Sequence, residues 1–161
     1  MRLDVRTICV LKDHGGRLLL LKRSASKKLF PSLITGIGGK VELESGEGRD
    51  LAGSLFRELE EEVPQITKEN ISDLRLRLIT HESRADEIVV LCWFTSLLNE
   101  PVTDMRCTEG ELVWRSPNEL DFSEMIPTAG PSIRFLTTLA NDDMRIYDGI
   151  YKPLTRALMV N

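Results

Sequence analysis

The chain has 161 residues, 42% hydrophobic and 29% charged, the size and make-up of one ordinary domain that can bury a core. A formal charge of -4 and a pI near 5.3 exclude general attraction to nucleic acid polymers or anionic membranes, so any phosphate-bearing partner must be held locally. Cys9, Cys92 and Cys107 lack metal or disulfide spacing, and no segment reaches the ~7–15 apolar residues of a signal peptide at the N-terminus or the ~18 of a membrane span. A reduced, cytoplasmic protein is the expectation.

The stretch RTICVLKDHGGRLLLLKRS holds two apolar runs around Gly15-Gly16, which predicts strands over about 4–12 and 17–23 joined as a hairpin. ASKKLFPSLITGIGGK mixes Pro, Ser and Gly with β-formers, which predicts a loop followed by short strands. From about Asp50 to Val63 the residues Leu51, Ala52, Leu55, Phe56, Leu59 and Val63 follow the i, i+3, i+4 spacing of an amphipathic helix, and Pro64 ends it. DLRLRLITHES and EIVVLCWFTSLL read as a second antiparallel pair turning around Arg84, Ala85 and Asp86. Within the first of these, Leu74, Leu76 and Leu78 alternate with Asp73, Arg75 and Arg77, which predicts one half-buried strand.

ELVWR predicts a short strand, and Ser116 caps a helical turn that begins at Pro117. GPSIRFLTTLAND predicts the second main helix and RIYDGIYK a final short hairpin. This order of elements predicts an α/β (α+β) sandwich around a mixed sheet, in a single domain over 1–161, rather than alternating βαβ units.

Four glutamates, Glu58, Glu60, Glu61 and Glu62, crowd the last turns of the first helix. At about 100° per residue, Glu58, Glu61 and Glu62 line one edge of the apolar stripe while Glu60 falls on the opposite flank. The placement is unfavourable for a free helix, because Glu58 and Glu62 are like charges at i, i+4 and the macrodipole disfavours anions at that end by roughly 0.3–1 kcal/mol each. Arg57 can pair with Glu61, yet one cation does not neutralise three carboxylates. A hard divalent cation such as Mg²⁺ or Mn²⁺ would, and TGIGGK just before it lets backbone approach a ligand. A solvated acidic face is the plain alternative.

Taken together, GGKVE, GE and RELEEEV resemble the box of the Nudix hydrolase family, GX5EX7REUXEEXGU, with Arg57 to Glu62 matching REUXEE in full. Two spacers are longer than the family's: seven residues separate Gly39 from Glu47 instead of five, and nine separate Glu47 from Arg57 instead of seven. Pro64 stands where the family has glycine. Glu47, after Gly46, takes the first box glutamate, with Glu44 as competitor. GIGGKVE and ELVWRSPNELDFSEMIP are most similar to the MutT and 8-oxo-dGTP hydrolase branch.

The resemblance implies a Nudix-type α/β/α sandwich with box helix and C-terminal helix, and a small-molecule nucleotide substrate hydrolysed at a diphosphate linkage with Mg²⁺ or Mn²⁺. Glu58, Glu61, Glu62 and the Gly38 carbonyl would hold the metal. Glu58 or Glu61 would be the base, Arg57 a partner of box carboxylates, and Glu109 (or Glu111) an additional acid. Lys22 and Arg23 would meet substrate phosphates, and Gly39 and Glu47 would shape the box loop. Trp93 or Phe30 could stack on a base; the aspartate pair that reads the purine in the human-type enzymes is replaced by Thr128 and Ala129. The leading reaction is nucleoside triphosphate to monophosphate plus pyrophosphate. ADP-ribose or nucleotide-sugar cleavage, a weakly catalytic nucleotide-binding module and a Cys92-dependent isoprenoid diphosphate isomerase stay open, as does a homodimer.

Overall fold

Leu18, Leu19, Leu20 and Leu21 are all buried, because the sheet they belong to is covered on both faces. The computed structural model describes residues 1–161 and builds one sheet from nine strands. These are β1 (Arg2–Lys12), β2 (Leu18–Arg23), β3 (Ile34–Thr35), β4 (Ile37–Lys40), β5 (Ile71–Ser83), β6 (Glu87–Leu98), β7 (Gly110–Arg115), β8 (Tyr147–Lys152) and β9 (Ala157–Val160). The order is β3-β2-β1-β6-β5-β8-β9, with β4 also paired to β1 and β7 to β2. The sheet is mixed: β1–β6 and β5–β8 run parallel and the other pairs antiparallel.

Helix α1 (Leu51–Glu62) packs Leu55 and Leu59 onto Cys9, Leu11, Leu19 and Leu21. Helix α2 (Ala129–Thr138) packs Ile133 and Leu136 onto Val10, Leu18, Leu20 and Trp93 from the other side. Alternate residues of β1 and β2 therefore feed opposite cores. Each fully buried Leu contributes roughly 1.5–3 kcal/mol, which holds α1 against the sheet despite its acidic end. Asp50 caps α1 by accepting the Gly53 N–H at 2.8 Å, and the last turn carries no basic residue.

Two expectations are corrected. Leu74 and Leu76 pack on the α1 side, but Leu78 is fully buried on the α2 side. The cause is a β-bulge: Leu76 pairs with Phe94 and Leu78 with Trp93, so Arg77 is an extra residue and the alternation reverses there. RIYDGIYK is not itself a hairpin: it holds a single strand, β8, which pairs antiparallel with β9 beyond the segment and parallel with β5 on its other side. The first hairpin exists, but β1 and β2 share only Leu11↔Leu19 and Lys12↔Leu18, and the main partner of β1 is β6.

Candidate active site

The loop before α1 folds as two short 3-10 turns, Leu43–Ser45 and Glu47–Arg49, hinged at Gly46 with φ 89°. They absorb the added residues and deliver Glu47 to the side of α1. Glu47 Oε2 accepts from the Glu42 N–H (2.7 Å) and the Ser54 hydroxyl (3.0 Å), and Oε1 accepts from Arg57 Nε (2.5 Å). Arg57 Nη2 donates to Glu47 Oε2 (3.1 Å) and to the Lys40 carbonyl (2.9 Å). Arg57 and then the Glu42 N–H hold the Glu47 carboxyl down at about 2. One arginine thus ties loop, β4 and helix together. Glu44 is exposed in the first turn and makes none of these contacts.

The far side of Arg57 meets the helix carboxylates. Its Nη1 lies 2.9 Å from Glu58 Oε1 and 3.2 Å from Glu61 Oε1. Glu58 is largely buried while the Glu61 side chain is 60% exposed. Glu62 points inward, is 8% exposed, and its Oε2 has no hydrogen-bond partner. Glu60 faces water. Desolvation, then the charges of Glu58 and Glu109, push the Glu62 carboxyl up to about 8, and the Gly38 backbone and Lys27 only partly offset this. Desolvation also raises Glu58. Lys27 forms an ion pair with Glu109, whose loop is tied in by Ser24 N–H to Glu109 O (3.0 Å) and Thr108 N–H to Glu62 O (3.2 Å). Glu111 lies on β7, exposed, opposite Lys22.

Gly38 and Gly39 on β4 form the wall facing these carboxylates. A Cβ on Gly38 would strike the Thr7 carbonyl, and one on Gly39 would occupy the place of the Glu58 carboxylate. Only glycine permits that approach. Behind this wall a cavity of about 170 Å³ runs past Arg23 to Trp93, Phe30 and Thr128. Asp4, Arg6, Glu82 and Arg84 also line it. Asp4 Oδ2 accepts from Arg6 Nε (3.1 Å), whereas Asp4 Oδ1 is buried without a partner. Glu82 takes a two-pronged contact from Arg84 at 3.2 and 3.1 Å. Trp93 Nε1 donates to Thr80 Oγ1 at 3.3 Å, which fixes the ring. A larger cavity of about 600 Å³ between α2 and β9 contains no carboxylate and shares no residue with this one.

The residues expected at the site thus divide. Glu58, Glu62, Glu109, Gly38 and Gly39 come together, with Glu61 at the solvent side. Arg23 lines the cavity, whereas Lys22 lines only the neighbouring groove with Glu111. Cys92 belongs to the α1-side core, where burial pushes its thiol up to about 11, and no cysteine lines the cavity. Lys27, Asp4, Arg6, Glu82 and Arg84 were not expected. The signal for two of them was parity: Asp4 and Arg6 alternate in step with Ile8 and Val10, whose side chains face the α2 core.

A NUDIX domain model matches residues 2–136. The chain belongs to the Nudix family. Its fold is shared with a MutT protein from Bacillus halodurans (TM-score 0.65, 20% identity, covering 98% of this chain and 97% of that one). A Nudix hydrolase from Nitrosomonas europaea gives a TM-score of 0.70 at 16% identity, covering 93% and 79%. A MutT protein from Methanosarcina mazei gives 0.65 at 17% identity, covering 85% and 94%. No curated protein is a match. The Nudix helix is α1, its braced loop 41–50, and no helix is long and apolar enough to cross a membrane.

Whether these residues suit a divalent ion turns on Glu62. No three His, Cys, Asp or Glu side chains stand at ligating spacing; Arg57 pairs with Glu58 and Lys27 with Glu109. Glu62 alone has no cation, and its buried, partnerless Oε2 sits among like charges. Hard oxygen donors crowded at a cost to stability are the donor set that Mg²⁺ or Mn²⁺ takes, so the residues fit.

Proposed function

We propose that this Nudix hydrolase cleaves a nucleoside triphosphate to monophosphate and pyrophosphate with Mg²⁺. The observation that carries the reading is the uncompensated Glu62 oxygen beside Glu58, set against the Gly38-Gly39 wall of a cavity that ends on an indole. The triphosphate is the substrate implied by the resemblance of GIGGKVE and ELVWRSPNELDFSEMIP to the MutT branch, whose name two structural relatives carry.

Glu58 and Glu62, with the Gly38 carbonyl, would hold the ion, which supplies charge neutralisation at phosphate oxygens and a lowered pKa for water. Phosphoryl transfer then asks the protein for positioning and charge. Arg23 meets the phosphates at the cavity wall with a bidentate fork, and Lys27 adds a point charge beside Glu109. The proton of the attacking water passes to an Oε atom of Glu58 or Glu61, the two carboxylates that Arg57 Nη1 spans. Arg57 and Glu47 keep the loop and helix in register without touching substrate. The base enters the cavity beside Trp93 and Phe30, where Asp4 Oδ1 accepts one of its N–H groups.

The test is a panel of nucleoside triphosphates, ADP-ribose and nucleotide sugars with Mg²⁺, products separated by ion-exchange chromatography. Monophosphate plus pyrophosphate from a triphosphate supports the proposal. Turnover confined to ADP-ribose or a nucleotide sugar, or no turnover of any member, overturns it. Glu58→Gln and Glu61→Gln then separate the two bases, because the base variant loses the acid-limb pH dependence of kcat that the other retains.

A further inference from the structure

We infer a second small-molecule site, for a phosphate-bearing anion, on the α2 side of the sheet. Arg77, the extra residue of the β5 bulge, is 6% exposed and has no carboxylate partner. Its Nε makes no hydrogen bond, and its sole side-chain hydrogen bond is a long one, 3.5 Å from Nη2 to the Ala140 carbonyl. A buried guanidinium without a counter-charge is costly, and bulges recur where a side chain is re-aimed for function. Here the bulge aims Arg77 into a cavity of about 350 Å³ that it lines with Lys12, Thr95 and Asn141.

The charge balance favours an anion. Two carboxylates also line the cavity, but both are already taken: Asp13 accepts from Arg17 N–H (2.8 Å) and Nε (2.7 Å), and Asp73 from Arg75 Nε (2.6 Å). Lys12 forms no ion pair in the structure, so Lys12 and Arg77 are the cations left over. Arginine's planar fork suits phosphate oxygens, lysine adds a point charge, and Thr95 and Asn141 supply neutral donors. The volume is in the range of small-molecule pockets, larger than a bare ion needs. None of the lining residues belongs to the Glu58–Glu62 site, so occupancy is independent of the catalytic carboxylates.

The experiment uses the full chain with a chelator present and titrates inorganic phosphate and pyrophosphate by calorimetry and thermal melting, with chloride at matched ionic strength as reference. The expected result is saturable binding and a rise in melting temperature. Lys12→Ala should weaken it at least tenfold and Arg77→Met abolish it, while the double variant Lys22→Ala, Arg23→Ala leaves it intact. Should Arg77→Met fail to fold, Lys12→Ala and Thr95→Val carry the test. Absence of saturable binding, a response equalled by chloride, binding unchanged in Lys12→Ala, or binding lost with Lys22 and Arg23 overturns the proposal and leaves Arg77 as a cap for the chain after α2.

Discussion

Replacing Glu62 by Gln should stabilise the metal-free protein while removing its activity. The substitution keeps the shape but deletes a carboxylate that burial and two neighbouring glutamates push from 4.5 to about 8. An acid whose folded pKa is raised binds its proton more tightly in the folded state, so its cost is absent below about 4.5 and grows as pH rises towards about 8. At pH 7 the roughly 2.5 pH units above the unfolded value, at about 1.4 kcal/mol each, give a cost of ~3 kcal/mol. Glu62→Gln should recover most of that, and a domain of this size gains ~2–4 °C in Tm per kcal/mol. Urea denaturation of both proteins in chelator checks it: the stability difference should be small at pH 4.5, favour the variant by ~3 kcal/mol at pH 7 and be larger at pH 8.5. A variant less stable than wild type at pH 7, or a difference independent of pH, would refute the claim that Glu62 sits unpaired among like charges. This is the stability–function trade-off expected of a site made for a cation the free protein lacks.

Gly39→Ala places a Cβ on the Glu58 carboxylate and should displace it, lowering kcat about 100-fold with little change in the circular dichroism spectrum. Asp4→Asn keeps the shape of the cavity wall but converts an unpartnered acceptor into a site that can offer a donor, so kcat/KM ratios among nucleotides with different bases should shift by tenfold or more. Glu47→Gln removes a carboxyl held at about 2, so wild type should exceed the variant in stability at neutral pH, with the difference lost as pH falls from about 4.5 through 2. Acid titration followed by tryptophan fluorescence measures that difference.

The periodic parts of the chain were the legible parts. The stripe Leu51 to Val63 reads as a helix because one face is buried along its whole length, and LLLL reads as a strand because both of its faces are. Helical geometry placed Glu58, Glu61 and Glu62 on one edge, but the edge straddles the protein surface, so Glu62 is buried and Glu61 exposed. Alternation failed at Leu78 because a bulge adds a residue that no local pattern announces, and the same bulge turned Arg77 from an expected outward residue into a buried one. Lys27 was invisible in an aperiodic loop, since its importance lies in an ion pair with Glu109 far along the chain. Asp4 and Arg6 were legible in parity but easily passed over as the polar start of a strand.

The central claim, that Glu58 and Glu62 jointly hold a divalent ion for hydrolysis, is most directly tested by nucleotide turnover across a Mg²⁺ titration in wild type, Glu58→Gln, Glu62→Gln and Glu60→Gln. Glu60 lies midway between Glu58 and Glu62 in sequence but on the opposite, solvent flank of the helix, and serves as the control. The account predicts that chelator abolishes turnover, that Glu60→Gln behaves as wild type, and that Glu58→Gln and Glu62→Gln lose about 100-fold or more with a raised Mg²⁺ requirement. Turnover that survives chelation, or equal activity in all four proteins, would contradict it.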